Sequence, residues 1–203
     1  MYQMTRDIVH EFVPRYLKGE VLDVGAGTKK YQKIIEQHCD KYMTLDIEGD
    51  VDFVADAKNM PIDENSFDSI LSFQMFEHVD EPQKIASEMY RVLKPGGIII
   101  STVPFMAPEH ADPNDFQRFT VHGFEYLFKK ENFKILYVGK YTGPFTVFID
   151  SIKFSYFSPY TSSKLRLKWG ERILRRLYVL AKYLDKNKEN TDIYGNVCIV
   201  AQK

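Results

Sequence analysis

The chain has 203 residues, 44% of them apolar and 27% charged, and a net charge of −1. This is the composition of one globular unit with a substantial core, and its near-neutral balance gives no reason to expect a nucleic-acid partner. Two cysteines, Cys39 and Cys198, without a CxxC spacing argue against a disulfide framework or zinc knot, no apolar run is long enough to span a bilayer, and the N-terminus does not read as a signal peptide, so a cytoplasmic protein is expected.

In chain order, residues 4–17 read as a helix with Ile8, Val9, Phe12, Val13 and Tyr16 on one face. Residues 20–24 form a first strand, 28–38 a helix, and 41–45 and 51–55 two short strands. A turn at 63–66 leads into a continuous apolar strand, 67–73. Pro82 suits the first turn of a helix that carries Ile85, Met89, Val92 and Leu93 and stops at Lys94-Pro95-Gly96-Gly97. Residues 98–103 are the next buried strand, and Thr120 is the expected N-cap of a helix holding Phe124, Leu127 and Phe128. Residues 133–138 and 197–201 read as the last two strands. Between them, at about 142–193, lies an insertion with a basic amphipathic helix near 165–184. Residues 164–188 hold nine basic and two acidic side chains, a local +7 against −8 for the remainder. Alternation of strands and helices predicts an α/β fold of the Rossmann-like, doubly wound kind. It has a seven-stranded, mostly parallel sheet with helices on both faces, and its last strand is antiparallel.

The chemistry concentrates where strands end. Val21-Leu22-Asp23-Val24-Gly25-Ala26-Gly27-Thr28 reads as a buried strand that breaks at a Gly-x-Gly turn. Ligands of open α/β sheets bind beyond the carboxyl ends of their strands, and glycine allows positive φ and close approach. Asp46 follows the second strand, 23 residues after Asp23, a spacing suited to a carboxylate that takes ribose hydroxyls; Asp56 follows the third. A dinucleotide turn requires Gly or Ala at the sixth position of G-x-G-x-x-G, and that position is Lys30. The acidic series with this turn favours a nucleoside pocket for S-adenosylmethionine over a dinucleotide.

The ordered segments 21–28, 45–49, 54–72, 76–79 (Phe-Glu-His-Val) and 91–102 resemble the class I S-adenosylmethionine-dependent methyltransferases, in the small-molecule, methyltransferase type 11-like branch. The resemblance covers about 18–141 and 196–202. It implies that Gly25 and Gly27 pack against the methionine moiety and that Asp23 orients its amino group. It implies further that Asp46 holds the ribose, that Asp56 and the Ala57 backbone lie by the adenine, and that Ser72 and Phe73 sit near the methyl donor. Lys29 stands where many members have a third glycine, which puts backbone packing and cofactor affinity there in question.

A second set, His110, Pro113, Asp115, Arg118, Thr120 and Gly123, is similar to the H-x-x-P-x-D-x-x-R-x-T-x-x-G pattern of methyltransferases often associated with sugar and glycan pathways. It suggests a sugar or glycan precursor as methyl acceptor. An imidazole can take a proton near neutral pH, so His110, assisted by Asp115, is the candidate base. His78 competes for that role, contacts substrate or simply orients a loop. Arg118 either clamps an anionic acceptor group or bridges to Asp112 or Asp115. Phe73 and Phe76 either face the sulfonium or fill the core.

The histidines and acids show no metal-ligand spacing, so no metal is expected. For the basic helix, a lid, a homodimer interface, peripheral contact with an anionic membrane and a plain solvated face all stand open; Trp169 would report movement there. Two rival functions remain. A noncatalytic S-adenosylmethionine-binding scaffold is kept open by Lys29. A nicotinamide-dependent oxidoreductase is opposed by Lys30 and by the lack of a Tyr-x-x-x-Lys pair near a strand end.

Overall fold

The computed structural model describes residues 4–110, 114–157, 168–186 and 191–203. Seven strands form one sheet: β1 (Glu20–Val24), β2 (Lys41–Asp46), β3 (Phe53–Val54), β4 (Phe67–Phe73), β5 (Leu93–Pro104), β6 (Lys134–Tyr141) and β7 (Asn196–Gln202). Their order is β3-β2-β1-β4-β5-β7-β6. The first five pair in parallel, and β7 runs antiparallel to both β5 and β6. The expected doubly wound sheet with an antiparallel last strand is what forms.

Strand alternation sorts the core into two layers. On one face, Val21, Leu71, Ile98, Ile100, Cys198 and Val200 pack under α1 (Thr5–Tyr16), which buries Ile8, Val9, Phe12 and Val13. On the other face, Leu22, Val24, Ile70, Ile99, Val103 and Ile199 pack under two helices. These are α3 (Pro82–Val92), through Ile85, Ala86, Met89 and Val92, and α4 (Val121–Lys130), through Phe124, Leu127 and Phe128. Both helices begin as the sequence predicts. Pro82 occupies the first turn of α3, and the Thr120 hydroxyl accepts from the Gly123 N–H at 3.0 Å.

Three elements differ from the expectation. The helix foreseen over 28–38 shrinks to α2 (Gln32–Ile35), because Gly27 and Lys29 both take positive φ (+49° and +54°) and hold 27–31 in turns. β5 begins at Leu93, which pairs with Phe67. The Pro-Gly-Gly segment is therefore an irregularity inside the strand, with Gly96 at φ +77°, and not a connection before it. The insertion contains a helix that was not foreseen, α5 (Pro144–Phe157), before the basic helix α6 (Lys168–Asp185). Asp185, fully buried, caps α5: its carboxylate accepts from the Phe145 N–H at 3.1 Å and the Thr146 N–H at 2.8 Å. Lys164 and Arg166 and the side chains of Lys168, Trp169 and Arg172 lie outside the described residues, as do Asp112 and Pro113. Among the described residues no helix is long and apolar enough to cross a membrane.

Candidate active site

β1 is flanked by β2 and β4, so the chain winds outward to both sides from this point. Such a switch point leaves a crevice beyond the carboxyl ends of the strands. A cleft of about 720 Å³ lies there, and Asp23, Gly25, Gly27, Asp46, Asp56, Ala57, Phe73 and His78 all line it.

Both glycines have positive φ, for different reasons. A Cβ on Gly25 (φ +75°) would stand 2.4 Å from Met75 Cγ, whereas a Cβ on Gly27 would meet nothing within 4 Å. Gly25 therefore makes room for Met75, and Gly27 keeps the cleft wall open. Sequence reasoning assigned both freedoms to a ligand; the structure spends the first on packing.

The Asp46 carboxylate braces this turn. One oxygen accepts from the Gly27 N–H at 2.8 Å and the other from the Ile47 N–H at 2.7 Å. Each oxygen keeps a second acceptor site. Asp23 is nearly buried, 6% exposed, and accepts from the Tyr42 hydroxyl at 2.6 Å. Burial raises its pKa to about 6; the Tyr42 hydrogen bond opposes the rise and the Asp46 charge adds to it. Asp56 is exposed, with one oxygen accepting from the Lys58 N–H at 2.8 Å, and Ala57 beside it is buried. Lys29, in place of a third glycine, takes the left-handed backbone at a cost of about 1–2 kcal/mol.

Ser72 departs from its expected place. It is fully buried, points to the face opposite Phe73, and does not line the cleft. Phe76 is also core: it is fully buried and packs edge-on against Phe124 at 5.6 Å and Phe128 at 5.8 Å. Phe73 does line the cleft, with Tyr31 edge-on at 5.7 Å. Thr5, Tyr31 and Gln74 were missed as lining residues. Gln74 sits at φ +55° and donates to the Thr102 hydroxyl at 3.1 Å and the Tyr141 hydroxyl at 3.2 Å. No local pattern marks a left-handed glutamine, and Thr5 joins the cleft only through tertiary packing of α1.

The loop 114–119 is strapped to the turn at Phe76–His78. Gln117 donates to the carbonyls of Phe76 and Val79, at 3.2 and 2.8 Å, and the Phe116 N–H donates to the Glu77 carbonyl at 2.8 Å. His78 Nδ1 lies 2.6 Å from the Asn114 carbonyl. These bonds bring His110 and His78 together, ring centroids 5.1 Å apart. Asp115, with a side chain only 2% exposed, accepts from both terminal nitrogens of Arg118 and from the His110 N–H at 2.9 Å. Arg118 holds the carboxyl at about pKa 2 against the opposing effect of burial. Arg118 is thus spent on Asp115, the bridging alternative of the sequence reading. His110, Asp115 and Arg118 stand beside the cleft and do not line it. Glu77 was not singled out from sequence. It is fully buried, neither carboxylate oxygen has a hydrogen-bond partner among the described residues, and burial raises its pKa to about 7.

The cleft fits S-adenosylmethionine in its donor set: a turn open at Gly27, carboxylates of three strand ends with free acceptor sites, and an aromatic ring at Phe73. Residues 22–101 match the sequence model described as "Methyltransferase domain". The "Demethylmenaquinone methyltransferase" of Paenarthrobacter aurescens (strain TC1) is 51% identical over 53 residues, 25% of this chain and 21% of that one. The match thus spans about a fifth of that curated relative's length. Among solved structures, the [4+2]-cyclase SpnF is similar with a TM-score of 0.64 and 18% identity, over 98% of this chain and 79% of that one. An S-adenosylmethionine-dependent methyltransferase from Mesorhizobium loti has a TM-score of 0.64 and 14% identity, over 98% of each chain. Those two likenesses show the fold. Residues 22–101 are thus similar to the methyltransferase domain family, and the fold that carries them is shared with S-adenosylmethionine-dependent methyltransferases of known structure.

Proposed function

We propose that this chain, working as one domain, transfers a methyl group from S-adenosylmethionine to a small-molecule acceptor. The observation that carries the reading is the cleft at the sheet's switch point, where Asp23, Asp46 and Asp56 converge on a turn left open at Gly27. When bound, the cofactor supplies a methyl group on a positive sulfonium, an electrophile that the protein does not have to activate.

The chain's own residues then have mainly to orient and to exclude water, an effect worth roughly 7–11 kcal/mol in well-aligned cases. Asp46 takes the ribose hydroxyls on its free acceptor sites while it holds the Gly27 turn. Asp56 and the Ala57 backbone take the adenine end, and Asp23 takes the cationic amino group. Phe73 closes the wall at the donor end. On the acceptor side, His110 receives the acceptor's proton, a step worth about 10²–10⁴-fold. Asp115 fixes the His110 backbone, Arg118 locks Asp115, and His78 borders the acceptor.

For the acceptor itself, the loop pattern at 109–123 supports an oxygen of a sugar or glycan precursor. A second reading rests on α6. Val179, Leu180 and Tyr183 are 70%, 51% and 74% exposed on a helix that also carries Arg175, Arg176 and Lys182. A basic helix with an uncovered apolar stripe suits an anionic membrane surface or a second copy of the chain. The relative named for demethylmenaquinone makes an apolar ring acceptor the companion of the membrane reading.

Calorimetric titration with S-adenosylmethionine, S-adenosylhomocysteine and NAD tests the core reading. Binding of the first two, lost in Asp46→Ala, is expected. Binding of NAD alone overturns it in favour of an oxidoreductase. Transfer of radiolabelled methyl to sugar nucleotides or to quinol vesicles then separates the acceptors, and cofactor binding without transfer to any acceptor favours the scaffold.

A further inference from the structure

We propose that Glu77, His78 and His110 form a binding site for one zinc-class divalent metal ion, at the mouth of the cofactor cleft. A carboxylate oxygen of Glu77 and one ring nitrogen from each histidine lie within 4.8 Å of one another. Two nitrogen donors and one carboxylate are the ligand set of three-coordinate protein sites that leave a further position open, and imidazole suits zinc better than magnesium.

Two observations point the same way. Glu77 is a fully buried carboxyl group with neither oxygen hydrogen-bonded among the described residues, and its cationic neighbour Arg118 is bonded to Asp115 instead, so the ionised form is costly unless a further cation meets it. Both imidazoles turn Nδ1 to a main-chain carbonyl. His78 Nδ1 faces the Asn114 carbonyl at 2.6 Å, and His110 Nδ1 faces the Pro108 carbonyl at 3.1 Å. A carbonyl only accepts, so Nδ1 carries the proton in each ring and Nε2 of the neutral ring offers a lone pair. Metal-bound histidines almost always donate their other N–H in this way, to a carbonyl or a carboxylate. Asp115 accepts from the His110 backbone N–H, and Arg118 balances its charge.

The ligand atoms would have to close in by about an ångström to meet one ion. A tetrahedral zinc with bonds of about 2.0–2.2 Å holds its ligand atoms roughly 3.4 Å apart. His78 Nε2 already lies 3.7 Å from Glu77 Oε1, and His110, with a side chain 34% exposed on its loop, supplies the remaining movement. Because His78 lines the cleft, the open coordination position borders the place where an acceptor meets the donor. A metal there would polarise an acceptor hydroxyl. In that loaded state His110 is a ligand, and its role as base belongs to the metal-free protein. The inference goes beyond the methyl-transfer reading and does not depend on it.

The test uses the full chain after dialysis against a chelator. Zinc chloride is titrated by calorimetry, and cobalt chloride is followed through its visible absorption bands. One equivalent of zinc is expected, with tetrahedral-type cobalt bands and no displacement by excess magnesium. Glu77→Gln and His110→Ala should each weaken zinc by at least about 100-fold, beyond the 10–100-fold cost of losing an outer partner. Unchanged zinc affinity in both variants, or no zinc binding by the folded wild type, overturns the site. Circular dichroism guards against misfolding of Glu77→Gln; if that variant unfolds, His110→Ala on its exposed loop decides. Cofactor titration of the same samples reads the methyltransferase proposal separately.

Discussion

Asp23→Asn probes the tension between stability and cofactor binding at the end of β1. Asp23 is nearly buried, and its pKa rises from 3.8 to about 6. The native state therefore keeps a proton that the unfolded chain sheds between about pH 4 and pH 6, so stability falls as pH rises through that window and levels off above it. A shift of about two units corresponds to about 3 kcal/mol, the full cost of holding this carboxylate ionised in the unliganded fold. Asn keeps the shape and still accepts from Tyr42, so urea unfolding at about pH 8 should show the variant more stable by up to about 3 kcal/mol, with its pH slope between 4 and 6 flattened. Cofactor binding should change in the opposite sense. If Asp23 must be ionised to hold the cationic amino group, wild-type affinity at about pH 5 should be roughly tenfold weaker than at pH 8. The variant should bind weakly at both. A wild-type dissociation constant that stays flat from about pH 5 to pH 8, or an Asn variant that binds as tightly as the parent, would refute the assigned role. An unaltered stability slope would refute the raised pKa.

The two turn glycines should separate. Gly25→Ala meets Met75 at 2.4 Å and should destabilise by more than the about 1–2 kcal/mol of its left-handed backbone, whereas Gly27→Ala, in open space, should cost only that amount, as read by thermal melts. Asp46→Ala removes the acceptor of the Gly27 and Ile47 N–H groups, and hydrogen bonds to a charged group are worth about 1.5–3 kcal/mol. Calorimetry should therefore show S-adenosylhomocysteine weakened at least about tenfold. Arg118→Ala strands the buried Asp115 carboxylate and should cost about 3 kcal/mol in urea unfolding; Arg118→Ala with Asp115→Asn should recover much of it. Asp185→Ala removes the cap of α5, and a loss of about 1–2 kcal/mol, with faster proteolysis within 144–157, is expected, while Asp185→Asn should retain most of the stability.

The cofactor half of the site was legible because backbone geometry dictates its residues. A strand that must end in a turn with positive φ demands Gly25 and Gly27, and acids at the ends of β1, β2 and β3 can be counted along the chain. Even so, the sequence did not reveal that Gly25 answers to Met75, a residue 50 positions away. Ser72 was misplaced by adjacency: period-two alternation sends neighbours to opposite faces, so Phe73 reaches the cleft and Ser72 cannot. α2 was overestimated because the apolar spacing of Tyr31, Ile34 and Ile35 was read without the positive φ of Lys29. α5 was missed although Pro144 suits a first helical turn as Pro82 does, because its side-chain cap comes from Asp185, forty residues downstream. Glu77 was passed over because a buried carboxylate without a partner has no one-dimensional signature.

The loop 114–119, where the proposed function puts the acceptor, is built on a different principle. Few of its side chains are demanded by backbone conformation; they are tied by side-chain bonds to main-chain carbonyls, from Gln117 to Phe76 and Val79, and from His78 to Asn114. Carbonyls are present whatever the sequence, so such straps set a loop's position while leaving the residues between them free to vary. The turn that receives these straps also contributes His78 and Val79 to the cleft wall. The loop 114–119 and the cleft are therefore fixed to one turn, itself anchored by the buried ring of Phe76 among Phe124 and Phe128. In-line transfer tolerates little misplacement between donor and acceptor, and a shared anchor holds that distance. On the proposed function, the fully buried Phe76 would then serve through placement alone.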